Sequence, residues 1–389
     1  MSSTIRTALL VLFLASGAVA AGEAGGPDGH LFVASEESLE IAVVDTTIDQ
    51  VVRRLPLDHP PFQVAVIPDG NRLLASDFMG DRISVFDLDT GAPQPPIELG
   101  FPPVHMQPAP EGTVVAINSL EEVGLWLLDL ADGSRRRIEG IGLAHNYAFN
   151  ADGTRLYVAD MLDEHIKVVD VVSASIVEQI AGVEQIAGTG TAEAALLAAT
   201  GAAPQGFTEI ATGAGSERAL AIDVPREGVA LIDLAKGRTL ARLELGDTPW
   251  RAYPAAYGRL MLVTHQGEDS LSVVSMGTLE EIARLDGAAD IAAVATGWFE
   301  STAFLLSRER RSALLVDLDN LVMDGEIALP GEPQQAVASA DGARLYVSMR
   351  GKDGLAVIDA RERRLVRVIE DVGVAPGAVT AAGSRNFCS

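Results

Sequence analysis

The chain has 389 residues, is 48% hydrophobic and carries a formal net charge of −25, a composition that excludes general disorder. A surface this acidic repels phosphate backbones and anionic lipid, so nucleic acid is not an expected partner. A single cysteine, Cys388, excludes an internal disulfide, a thiolate zinc site and a covalently attached c-type haem, all of which need several cysteines.

Residues 1–20 hold one basic residue, Arg6, an apolar run from Ala8 to Ala15, and the small-x-small sequence Ala18-Val19-Ala20. That is the pattern of a secretory signal peptide cleaved after Ala20, and the run is too short to span a bilayer. A periplasmic or secreted protein with no membrane span is therefore expected. Cys388 then belongs to an exposed tail at 384–389, as an idle thiol or one that bridges to a second molecule.

A repeat governs everything from residue 28 to residue 383, read as one domain. Its clearest copy is Ala144 to Asp170, in which alternating apolar runs are broken by turn residues such as Asp152-Gly153, the mark of β-strands. The last residue of the third run recurs as Asp45, Asp87, Asp129, Asp170, Asp233, Ser275, Asp317 and Asp359, in steps of 42, 42, 41, 63, 42, 42 and 42. A period of about 42 residues has room for four short strands, the size of a β-propeller blade.

The first unit begins at His30 with its second strand, while Pro376 to Ala382 supplies a first strand with nothing after it. Closure of the first blade by the C-terminal strand accounts for both ends. The sequence thus predicts an all-β propeller of eight four-stranded blades, or seven if the degenerate stretch Asp290 to Phe299 forms none. The runs LFVAS, LLASD, LYVAD and LYVSM, followed by ISVFD, IKVVD or LAVID, resemble the YVTN-type propeller repeats of exported bacterial proteins. The layout is similar to the eight-bladed haem domain of dissimilatory nitrite reductases. That repeat serves binding, surface and catalytic proteins alike, so the resemblance implies the fold and leaves function to the loops.

The 63-residue step contains an insertion at about 183–203, with helix-forming residues between Thr191 and Ala199. It reads as a surface loop from a slipped duplication, or as a lid. A Pro nine residues ahead of a turn glycine marks the innermost strand in most copies, which pairs Pro204 with Gly213 and places Gln205-Gly206 at its start.

Residues leading into the innermost strands are the candidate ligand contacts: Gln63, His105, His145, Asn146, Trp250, Arg251 and Gln335. In a negatively charged protein the Arg251 guanidinium suits a carboxylate, with the Trp250 indole as a stacking face. Gln63, Asn146 and Gln335 suit a polar ligand. His105 and His145, in neighbouring blades, are the candidate metal ligands, able to serve a metal ion or a non-covalent haem. Asp160, Asp163 and Glu164 near His165 form either a cation site or a solvated loop.

The once-per-blade aspartates are expected to cap turns. No nucleophile elbow, zincin, P-loop or EF-hand motif occurs. The favoured reading is an exported soluble propeller that binds a small molecule or protein partner on its loop face, without assigned catalysis. The alternative is a metal- or haem-dependent oxidoreductase or hydrolase.

Overall fold

The computed structural model describes residues 29–68, 71–119, 121–181, 206–213, 217–297, 299–339 and 341–381. The expected signal peptide, the insertion at 183–203 and the tail with Cys388 lie outside the described residues. Eight four-stranded antiparallel sheets are present: blade 1 (30–56 with 376–381), 2 (64–98), 3 (106–137), 4 (144–181), 5 (209–244), 6 (248–286), 7 (291–328) and 8 (332–369). Apart from one 3-10 turn at Val224–Arg226, the described regular structure is all strand. The architecture is an eight-bladed β-propeller.

The chain divides into two compact units, one containing Ile138–Asp290 and the other Ala15–Arg137 with Ile291–Ser389. The first holds blades 4 to 6; the second holds blades 1 to 3, 7 and 8. In both, the core lies between successive sheets packed face to face. Tyr157, Ile166 and Ile180 of blade 4 meet Ile210, Ala219 and Ile232 of blade 5, and Leu220 and Leu231 of blade 5 meet Met261 and Val263 of blade 6.

Inner strands are therefore covered on both sides and read as near-continuous apolar runs, as in RLYVAD at Arg155–Asp160. Outermost strands such as Ser175–Ala181 expose most of their residues.

The degenerate stretch does form a blade. Ile291–Gly297 pairs with Thr302–Ser307, and Phe299 and Glu300 take the left-handed turn at φ 57° and 53° that glycine supplies elsewhere. The C-terminal strand Pro376–Ala381 pairs with His30–Ser35, completing blade 1. Tyr346 of blade 8 donates its hydroxyl to Asp49 of blade 1 at 3.0 Å, and burial pushes the phenol up to about 12.

The repeated aspartates cap turns as expected. Asp45 accepts from the N–H of Thr47 at 2.8 Å, Asp129 from Ala131 at 2.8 Å, and Asp359 from Glu362 at 2.7 Å. Hydrogen bonds of this kind hold the Asp45, Asp87 and Asp170 carboxyls below the usual range.

Candidate functional site

One position recurs at a fixed 24 residues ahead of each third-strand terminus: Gln63, His105, Asn146, Glu209, Arg251, Ala293 and Gln335. It stands against the residue 13 further on, as in Asn146 with Ala159, Glu209 with Ile222 and Arg251 with Thr264. In four blades this side chain clasps the next blade by accepting a backbone N–H from its innermost strand. Met106 donates to Gln63 Oε1 at 2.5 Å, Ile210 to Asn146 Oδ1 at 3.1 Å, Ala252 to Glu209 Oε1 at 3.0 Å, and Val379 to Gln335 Oε1 at 2.7 Å.

Three of the candidate ligand residues thus have their amide oxygens engaged in holding blades together. Gln335→Ala is expected to cost about 1–3 kcal/mol, because it strands the N–H of buried Val379; urea denaturation measures the loss.

His105, 2% exposed, is fixed through its backbone, which donates to Asn118 Oδ1 at 2.8 Å. It lies in the second unit, whereas His145 lies in the first. Trp250 packs on the apolar cluster that includes Leu245, Met261 and Val263, so its indole serves the core between blades 5 and 6.

Around Arg251 the first unit gathers an unusual set of groups. Arg251 is 5% exposed, yet its guanidinium makes no hydrogen bond or ion pair among the described residues. Its nitrogens are not among the fully sealed side-chain atoms without a partner.

The groups that feel this charge are Glu209 and His145. Burial pushes the Glu209 carboxyl up to about 7, against the pull of Arg251. Burial, seconded by Arg251, pushes the half-buried His145 imidazole down to about 4, against its bond to Thr208. His145 Nδ1 stands 2.9 Å from the Thr208 carbonyl. A carbonyl only accepts, so Nδ1 carries the proton and Nε2 is the lone-pair nitrogen. The buried hydroxyls of Thr208 and Thr264 have no partner among the described residues, and Thr264 stands opposite Arg251.

Glu209 differs from Gln63 and Gln335 only in being ionisable, since all three make the same clasp. A glutamine would hold Ala252 equally well at any pH. The sign of the difference follows from linkage. Between about pH 4.5 and pH 7 the folded chain holds a proton on Glu209 that the unfolded chain has lost, so stability falls as pH rises through that window. The full drop is roughly 3 kcal/mol. Glu209→Gln is expected to flatten this slope; denaturation midpoints at pH 5 and pH 8 measure it, and an unchanged slope in the variant would count against the assignment.

The acidic loop of blade 4 is closed by an internal cation. Lys167, 4% exposed, places Nζ 2.6 Å from Asp160 Oδ2, 3.1 Å from Asp163 Oδ2 and 2.7 Å from the Gly140 carbonyl. Asp160 also accepts the N–H groups of Gly142 at 2.7 Å and Leu143 at 2.9 Å. Burial alone would raise the Asp163 carboxyl, but the His165 and Lys167 hydrogen bonds override it and leave it lowered. Among the described residues no group of three or more His, Cys, Asp or Glu is arranged to hold a metal.

Sequence reasoning missed Glu209 and Lys167. The Pro204–Gly213 spacing is coincidental: the innermost strand of blade 5 is Glu209–Thr212, and Gly206 precedes it. Gln205 lies outside the described residues. Gly206 is needed where it stands, because a Cβ there would meet the Asp163 carbonyl at 1.7 Å. Counting back 42 residues from Arg251 reaches Glu209 directly.

No family model and no curated protein matches the sequence. Solved structures do. Dihydro-heme d1 dehydrogenase NirN in complex with DHE aligns with a TM-score of 0.74 at 14% identity, over 92% of this chain and 76% of that one. Apo AztD from Citrobacter koseri aligns at 0.65 and 14% identity, over 90% and 96%. Kuenenia stuttgartiensis hydrazine synthase aligns at 0.56 and 16% identity, over 77% and 95%. What this chain shares with them is the β-propeller fold.

Proposed function

We propose that this protein is an exported, soluble β-propeller that binds a small organic anion at Arg251, with Glu209 and His145 under its charge, and does not turn the ligand over. The observation that carries this reading is an arginine 5% exposed whose guanidinium has no hydrogen bond or ion pair among the described residues. An isolated buried charge is costly, and an arginine held in this way has five donors for an incoming acceptor. Thr208 and Thr264, with unpartnered hydroxyls, add further capacity. A protein partner is less well served, because the charge is sunk below the surface.

A second reading has one observation behind it: His145, held at Nδ1 by the Thr208 carbonyl, lies under the charge of Arg251. A preformed complex such as haem needs one imidazole and carries carboxylates for an arginine, and NirN is a fold neighbour in complex with DHE. A bare metal ion is poorly served, given the absence of a three-ligand group among the described residues.

No helix among the described residues is long and apolar enough to cross a membrane. The periplasmic or secreted location rests on the sequence of residues 1–20.

The test compares acetate with acetamide, its neutral counterpart of the same shape. Acetate is expected to raise the unfolding temperature in a saturable way and acetamide is not; equal responses to both would overturn the anion site. An absorption spectrum of protein from its native host decides the second reading, which requires a Soret band.

A further inference from the structure

Glu209 is 7% exposed, and one of its oxygens is committed to the Ala252 N–H at 3.0 Å. Among the described residues the charge that acts on it is Arg251 of blade 6, which acts on His145 of blade 4 as well. Within its own sheet it faces apolar Ile222. Among the described residues Arg251 is thus the full positive charge that acts at the site, and Glu209 is the carboxyl that can gain or lose charge under it. The clasp does not require an acid, as Gln63 and Gln335 demonstrate at the same position.

Resting on the anion-binding reading above, we infer that Glu209 takes up a proton when an organic monocarboxylate binds Arg251, so that the site selects singly charged carboxylates and releases them as pH rises. Ionised Glu209 competes with the ligand for the same guanidinium. When the ligand neutralises Arg251 and adds its own charge nearby, the attraction that kept Glu209 ionised is gone. The proton comes from solvent and is carried on the carboxyl oxygen of Glu209 that does not hold Ala252. No covalent bond changes. A dianion such as phosphate in the doubly charged form that predominates at pH 8.5 would leave excess negative charge beside one arginine in a poorly solvated place, which disfavours it. His145 carries no charge above about pH 5 and so contributes none to this balance.

The experiment titrates the full-length mature protein with acetate, and separately with inorganic phosphate, from pH 6 to pH 8.5, following binding by NMR. Wild-type affinity for acetate should be flat near pH 6 and fall roughly tenfold per pH unit above about pH 7. Glu209→Gln should bind acetate about tenfold or more tightly than wild type at pH 8.5, with no slope. Proton uptake by the wild type, read from calorimetry in buffers of different ionisation heat, gives about one proton per acetate at pH 8.5 and needs no variant. A wild-type affinity constant across the range, or binding without proton uptake, overturns the inference while leaving an anion site in place. Tighter binding of phosphate than of acetate at pH 8.5, where phosphate is doubly charged, overturns the carboxylate class. If neither anion binds at any pH, the anion-binding reading falls and takes the inference with it.

Discussion

Arg251→Met is expected to make the protein more stable, by about 1–3 kcal/mol. Most substitutions of buried residues do the reverse. The sign is unusual because Arg251 is 5% exposed and makes no hydrogen bond or ion pair among the described residues, with only the attraction of partly ionised Glu209 against its desolvation. Methionine fills a similar length of apolar space and removes the charge. Two secondary shifts accompany it: without Arg251 the Glu209 carboxyl rises further and His145 is relieved of one of the causes that lower it. Chemical denaturation of the variant beside wild type at pH 7 reads the change. A loss above 2 kcal/mol would mean that the guanidinium supports the fold and is not held for a ligand.

Lys167→Met is expected to act in the opposite direction, with a loss of about 3–5 kcal/mol. Here the cation is 4% exposed and fully engaged, with two carboxylates and a carbonyl on its ammonium. Its removal leaves Asp160, itself 0% exposed, as an uncompensated buried charge. The backbone N–H groups of Gly142, Leu143 and Leu162 still reach Asp160, so the double variant Lys167→Met with Asp160→Asn should recover part of the loss. A double-mutant cycle by urea denaturation measures the coupling, and a single-variant loss under 1 kcal/mol would show the pair to be inessential. The two substitutions share a chemistry, Met for a buried cation, and differ in sign because among the described residues one ammonium is hydrogen-bonded and ion-paired and the other cation is neither.

The strand plan was legible because turns and blade ends are local events. Asp45, Asp129 and Asp359 cap turns within three residues of themselves, and so leave a regular mark on the sequence. The clasp was legible as a position but not as a bond. Gln63 and Gln335 reach backbone N–H groups 43 and 44 residues away, and the alternation of a strand does not encode such a partner.

Lys167 escaped notice for a related reason. With both sheet faces covered, Ile166, Lys167 and Val168 are all buried, so strand period alone does not tell which face a lysine shares with the acidic loop. Glu209 was obscured by the insertion, after which Pro204 imitates the spacing that marks other blades. That Arg251 would be buried without a hydrogen bond or ion pair among the described residues was not written in the sequence at all, because it depends on which groups the three blades of the first unit place beside it.

Arg251, without a hydrogen bond or ion pair among the described residues, is held in this reading to meet an anion. The most direct measurement of that role is the affinity of acetate for wild type and for Arg251→Met, side by side at pH 6. The account predicts saturable binding to wild type and a loss of at least about tenfold in the variant. Equal affinity in the two proteins would contradict it.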